Sequence, residues 1–362
     1  MDVMDQRQRA GDNSQQYQIS SVVINQGITE ERARAVFSEM IPQALEEYTK
    51  EAYTKANDRI SKLENRLMPR IVDIDGALAA FADPAFQILL RKAQQSAAAT
   101  ERDEDYSLLS ELLICHIQKG SNRKNRTGIK KAIEVVDEID NDALCGLTLA
   151  HAVNAYRPVT GDMHKGLEAL DKFFTKLMYM EPPVGSTWTD QLDVLNAIRI
   201  LQISHFKSIS EICTTSIPGY ICIGINKDAE NFQKACDLLN NIHLSSDILV
   251  SNELLDGYVK LPICSKETIS ELFIINANGK ERKINQQEID VLEKIWDLYD
   301  HNDTLQKKVN DNFIETWDEF DALRKLKEWW EKLSVCFSIT VVGTVLAHTN
   351  AKRCDPTLPD LI

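Results

Sequence analysis

The sequence predicts a mainly α-helical protein: an irregular helical body with a long N-terminal helix and a small β component in the N-terminal tip and the C-terminal half. Two observations predict this class. Apolar residues recur at three- and four-residue steps over most of the chain, which is the period of an amphipathic helix. Short β-branched runs bounded by glycine occur near the N-terminus and in the C-terminal half. With 362 residues, 43% of them apolar, the chain can build two or three packed units.

The first region, residues 1–28, is predicted to be a polar, β-type oligomerisation tip. Its strand-like part contains Val22, Val23 and Ile24 and ends at Gly27. A lone short strand leaves an open edge, which the same segment of a second subunit would satisfy. We therefore expect self-association through this tip, with a disordered tail as the alternative.

The second region, residues 29–68, is predicted to be one long helix. Thr29 is a suitable N-cap, Pro42 should kink the helix, and Pro69 should end it. The apolar stripe narrows after the kink, which is typical of a coiled-coil seam between subunits. An ordinary helix folded back on its own domain is the alternative. The predicted seam consists of four residues on one face: Ala56, Ile60, Leu63 and Leu67.

The remaining chain is divided into a helical body, residues 69–215, and a mainly helical C-terminal region with short strands, residues 216–362. Periodicity, capping residues and prolines predict the body helices, and three apolar runs next to glycine predict strands. Predicted helices cover 83–99, 106–117, 127–139, 141–155, 167–180, 228–241, 286–299 and 312–333; predicted strands cover 220–225, 257–262 and the β-type run 337–347.

Composition narrows the functional classes. The formal charge of −14 disfavours general coating of nucleic acid, because an acidic surface repels phosphate at long range. Eight cysteines occur without a CxxC pair, which is typical of reduced thiols in the cytosol. No stretch approaches the length of a membrane span, and the N-terminus has no apolar signal core. We therefore expect a cytoplasmic protein that is not bound to a membrane.

The sequence carries no recognisable catalytic or metal motif. His116 and Cys115 are adjacent and point to different faces of a helix, and no HExxH pattern occurs. GxSxG, P-loop and GxGxxG motifs are also missing from the sequence. We assign no catalytic residue, no metal ligand and no cofactor, and favour a role that is not enzymatic.

One unusual basic segment, residues 119–131, precedes and opens a predicted helix. Cations and free amide groups at a helix N-terminus can hold phosphate or carboxylate. A solvated surface loop that pairs with the acidic stretch 101–105 is the alternative. The candidate anion- or nucleic-acid-binding residues are Lys119, Arg123, Lys124, Arg126, Lys130 and Lys131.

Four stretches resemble known bacterial families. The tip Gly11-Asp12-Asn13-Ser14 and the closing runs 339–343 and 358–361 look like an uncharacterised bacterial family found in mobile and defence islands. The stretch from Leu108 through Ile139 to Leu149 is similar in layout to abortive-infection-alpha-type proteins. The resemblance implies a role in phage defence, as sensor, scaffold or growth-arresting effector. It brings no catalytic residues.

We therefore expect a homo-oligomeric, cytoplasmic bacterial defence component, whose further partners would be a second defence protein or a phage-derived ligand. One alternative is a nuclease-like or nucleotide-acting enzyme that uses residues 119–131. It requires carboxylates such as Asp103 or Glu134 to converge on that segment. Another alternative is a regulatory nucleic-acid-binding protein that uses the C-terminal region, where Lys352 and Arg353 are the local cations.

Overall fold

The computed structural model describes residues 28–45, 49–119, 123–275 and 281–361. The predicted strand of the tip, with Val22, Val23 and Ile24, lies outside these residues. The helices are α1 (Glu30–Ala44), α2 (Lys50–Val72), α3 (Pro84–Ala99), α4 (Asp103–Lys119), α5 (Arg123–Val135), α6 (Asn141–Ala155), α7 (Met163–Leu177), α8 (Thr187–Val194), α9 (Ile209–Ser216), α10 (Glu230–Asn241), α11 (Gln286–Trp296), α12 (Asp303–Asp318), α13 (Asp321–Glu331) and α14 (Val341–Cys354). The protein is mainly α-helical, which confirms the predicted class.

The strands are short and form three small antiparallel sheets. They are β1 (Ile198–Ile200), β2 (Ile225–Asn226), β3 (Val250–Ser251), β4 (Tyr258–Lys260), β5 (Phe273–Ile275), β6 (Glu281–Lys283) and β7 (Phe337–Ile339). β1 pairs with β7, with Arg199 opposite Ser338, and β4 lies between β2 and β3. β5 and β6 form a hairpin. Each sheet is therefore an accessory to the helical packing.

Two apolar cores organise these elements. The larger core contains residues of α1 to α9 and of α12 to α14. The smaller core lies within residues 225–299, where α10 and α11 cover the β2–β4–β3 sheet. α14 packs against α4, α5 and α6, so the end of the chain contributes to the packing of the body. Within the described ranges, no helix is both long enough and apolar enough to cross a membrane.

The predicted single helix over residues 29–68 is two helices. Thr29 caps the first as predicted, with its side chain accepting from the Arg32 amide at 3.3 Å. That helix ends at Ala44, and Thr49 caps a second helix that continues through Pro69 to Val72. Both prolines lie in the last turn of a helix, so each removes one intrahelical hydrogen bond and the helix ends two or three residues later.

The predicted intersubunit seam is wrong for its four α2 residues. Ile60, Leu63 and Leu67 are fully buried and Ala56 is nearly so, because α2 packs against α3 and α4 of the same chain. A side chain with no exposed surface cannot contact a second copy. The alternative stated above, a helix folded back on its own domain, describes α2.

Two predicted strand runs are shorter than expected. In the run 220–225 only Ile225 joins a strand, while the preceding residues are buried without a ladder partner of their own. In the run 337–347 the strand ends at Ile339. There Thr340 caps α14, its hydroxyl accepting from the Gly343 amide at 3.2 Å. The cap overrides the β propensity of the following valines, of which Val345 is buried and Val341 and Val342 are half-buried on α14.

Candidate functional site

The strongest candidate site is a cavity of about 390 Å³ between α3, α4 and α5. Three of its lining residues have ionisable or cationic side chains: Asp83, His116 and Arg126. Its apolar surface includes Phe86 and Ile117. We call it the His116 pocket. Its volume and its mixture of apolar walls with a few polar groups are typical of a small-molecule site.

Local structure fixes the three polar side chains. Asp83 is the N-cap of α3, and its carboxylate accepts from the Ala85 amide at 3.1 Å. His116 lies near the end of α4, and Arg126 lies in the first turns of α5. The position of α5 depends on Gly128, where a Cβ would come within 2.6 Å of the Val341 side chain on α14. The close approach of α5 to α14 places Arg126 at the pocket.

His116 is the most informative residue of the pocket. Its side chain is only 9% exposed, and Nδ1 has no hydrogen-bond partner among the described residues. Burial lowers the pKa of His116, and the charge of Arg126 lowers it further, while Asp83 acts in the opposite direction. The imidazole is therefore neutral at pH 7, and a side chain that lines the pocket carries a buried polar atom without a partner among the described residues. Such an atom carries a free-energy cost that a ligand could relieve.

Of the four predicted anion-binding residues whose side chains the structure describes, only Arg126 lines this pocket. Arg123 and Lys130 are exposed on α5. Lys131 donates to Glu134 at 2.7 Å, one turn further along the same helix. The side chains of Lys119 and Lys124 lie outside the described part of the structure. The predicted basic loop is thus helical from Arg123 onward, and most of its described cations face solvent.

Of the two carboxylates named for a nuclease-like site, Glu134 meets the segment 119–131 at Lys131, whereas Asp103 pairs outside it. Glu134 forms ion pairs with Lys92 and Lys131, and Asp103 pairs with Arg66 on α2. The carboxylate that does reach the pocket is Asp83, which the sequence marks only as a helix start. Asp83 is the N-cap of α3, and His116 and Arg126 belong to α4 and α5. Only the packing of these three helices brings the three side chains together.

The structure does not favour a metal site or a reactive cysteine, the other two chemical possibilities. In the described ranges, no group of three or more histidine, cysteine or acidic side chains is arranged to hold a metal ion. Burial raises the pKa of the Cys145 and Cys213 thiols to about 12. A thiol with that pKa is protonated at neutral pH and is a poor nucleophile.

Comparisons with known proteins identify a family but no activity. No curated protein matches the chain, and no solved structure matches it. One family model, which represents an uncharacterised family, matches residues 27–359. The match includes every helix described above and all three polar residues of the His116 pocket. The chain therefore belongs to this uncharacterised family.

Proposed function

We propose that this protein is a sensor that binds a small anionic ligand in the His116 pocket. The observation that carries the proposal is the buried Nδ1 of His116, which has no partner in the described part of the chain and belongs to a side chain that lines the same cavity as Arg126. A phosphate or carboxylate group there would gain a charge-assisted hydrogen bond from Arg126. It would also give the buried imidazole a partner, which removes the cost of leaving that nitrogen unpaired.

The ligand class follows from the remaining lining residues. Phe86 and Ile117 offer an apolar surface, and the rings of Phe86 and His116 are 6.2 Å apart. The Asp83 carboxylate keeps acceptor capacity beyond its bond to the Ala85 amide. A phosphorylated organic molecule that also carries a hydrogen-bond donor matches this combination better than a bare inorganic ion.

The cellular part of the proposal is anti-phage defence in the bacterial cytoplasm, and its support is the resemblance to abortive-infection-alpha-type and defence-island families. A sensor of this kind would act by binding its ligand more tightly in one of two conformations or assembly states. Self-association would depend on residues 1–28, since the four apolar residues of α2 are buried in their own chain.

A plaque assay tests this proposal. The full-length protein is expressed from its native locus in a phage-sensitive bacterium, beside Arg126→Glu and the control Lys55→Glu. Lys55 is exposed on α2, and both substitutions change the charge equally. We expect the wild type and the control to reduce plaque formation by at least one phage, and Arg126→Glu to lose protection at equal soluble level. No protection across a broad phage panel, or full protection by Arg126→Glu, would contradict the proposal.

A second candidate is an enzyme that hydrolyses a phosphate ester, favoured by the neutral imidazole of His116 in a pocket that also contains Asp83. A neutral imidazole can take a proton from attacking water as a general base. In that case His116→Asn should abolish release of phosphate from a nucleotide mixture while ligand binding remains. Equal phosphate release by the wild type and His116→Asn would exclude this candidate.

A further inference from the structure

A second cavity, of about 370 Å³, lies between α6, α9, α13 and β7. It shares no lining residue with the His116 pocket. Its walls combine aromatic rings with neutral hydrogen-bonding groups, and cationic side chains lie at its rim. We call it the Trp330 cavity.

The aromatic wall is formed by Phe206, Trp330 and Phe337. The ring centroids of Phe206 and Trp330 are 4.7 Å apart, and those of Phe206 and Phe337 are 5.0 Å apart. The indole Nε1 of Trp330 donates to the Lys207 carbonyl at 2.9 Å, which fixes the segment 205–207 against α13. A wall of this kind favours a flat ring, because aromatic surfaces attract one another beyond simple burial.

The polar groups of the Trp330 cavity differ in charge. Burial, helped by His348, lowers the pKa of His151 to about 4, so this imidazole is neutral at pH 7. Asn154 and Ser338 add an amide and a hydroxyl group. Lys207 is exposed at the rim and supplies a positive charge. The neutral imidazole of His151 is thus half-buried in the wall, while Asn154, Ser338 and the Lys207 cation are exposed.

We propose that the Trp330 cavity binds a mononucleotide, with the base against the half-buried ring of Phe206 and the phosphate toward Lys207. The neutral donors and acceptors of His151, Asn154 and Ser338 suit the polar edge of a base. An inorganic anion would leave the aromatic wall unused, whereas a base can stack on an aromatic side chain.

Calorimetric titration of the full chain tests this proposal. The probes are adenosine monophosphate, adenosine and inorganic phosphate, and the proteins are the wild type, Lys207→Glu and Lys325→Glu. Lys325 is an exposed residue on α13 that does not line the cavity, so it controls for charge reversal. We expect the wild type to bind adenosine monophosphate at least tenfold more tightly than adenosine. Lys207→Glu should lose that tenfold preference without a lower affinity for adenosine. Lys325→Glu should behave as the wild type.

Three results would overturn the proposal: equal affinity for adenosine monophosphate and adenosine, an unchanged preference in Lys207→Glu, or a preference lost equally in the Lys325→Glu control. Arg126→Glu separates this cavity from the His116 pocket. If Arg126→Glu and not Lys207→Glu removes the preference, the nucleotide binds in the His116 pocket and the Trp330 cavity is not its site. Failure of the defence assay leaves the titration unaffected.

Discussion

The imidazole of His116 on α4 and the guanidinium of Arg126 on the next helix, α5, line one pocket. The imidazole is buried and neutral, and the guanidinium is exposed. A cation beside a buried neutral imidazole makes protonation of that imidazole unfavourable in the empty pocket. An anion that entered would reverse this balance, which gives the pocket a testable response to pH.

Sulfate should bind the His116 pocket more tightly as the pH falls. Burial and Arg126 hold the pKa of His116 below its ordinary value of 6.5, and a bound dianion would raise it. Binding is therefore coupled to proton uptake, and affinity increases as the pH falls through the raised pKa of the bound state. Calorimetry between pH 5.5 and 7.5 measures this effect, since sulfate keeps its charge over that range. His116→Asn should flatten the dependence, and an equal slope in wild type and variant would contradict it.

Leu63→Asp should unfold the protein and not merely dissociate an assembly. Leu63 is fully buried between α2 and its neighbours in the same chain. Burying an unpaired carboxylate there should lower the free energy of unfolding by roughly 4 kcal/mol. Asn65→Asp is the matched control, because Asn65 is exposed on the same helix and should change stability by less than about 0.5 kcal/mol. Urea denaturation measures both free energies of unfolding. A Leu63→Asp variant that stays folded but no longer self-associates would support the intersubunit seam instead.

Gly343→Ala should destabilise the protein more than Gly128→Ala. A Cβ at Gly343 would lie 2.0 Å from the Ala197 carbonyl oxygen, which is backbone and cannot turn away. A Cβ at Gly128 would meet the Val341 side chain at 2.6 Å, where a small shift is easier. We expect about 1–3 kcal/mol of lost stability for Gly343→Ala and less for Gly128→Ala. Thermal unfolding that ranks the two variants in the opposite order would contradict this packing argument.

Stability should fall as the pH drops from 6.5 toward 4, partly because of His151. The folded pKa of His151 is about 4, below its ordinary value of 6.5, so the unfolded chain binds more protons in this range. The stability contributed by the neutral imidazole is present above pH 6.5 and is lost as the pH falls. Between pH 7.5 and 5 the loss is about 2 kcal/mol. His151→Gln should lose less stability than the wild type over the same interval, and an identical loss would contradict the assignment.

Much of the helical fold could be predicted because its signals are local. Residues 83–99 and 141–155 were predicted as helices from Asp caps and apolar period, and α3 and α6 follow them within one residue. The prediction for the long N-terminal helix is wrong because an apolar stripe of this kind can pack either against a second subunit or into the core of its own chain. The sequence contains no signal that distinguishes a partner helix from α3 and α4 of the same chain.

The candidate site was predicted only in part. The cluster of cations at 119–131 directed attention to Arg126, since charge density is visible in a sequence. Asp83 and His116 were not assigned to a site, because the first looks like a helix cap and the second like a lone histidine on an apolar face. Their shared pocket depends on how three helices pack, and that information is not local to any of them.

The most direct test of the anion-binding pocket is a crystal of the full chain soaked in tungstate, a phosphate-like dianion whose metal scatters X-rays anomalously. The account predicts an anomalous peak in the His116 pocket within hydrogen-bond distance of the Arg126 guanidinium and of His116 Nδ1. Crystals of Arg126→Glu should lose that peak. Tungstate found only elsewhere on the protein, with the His116 pocket empty at saturating concentration, would contradict it.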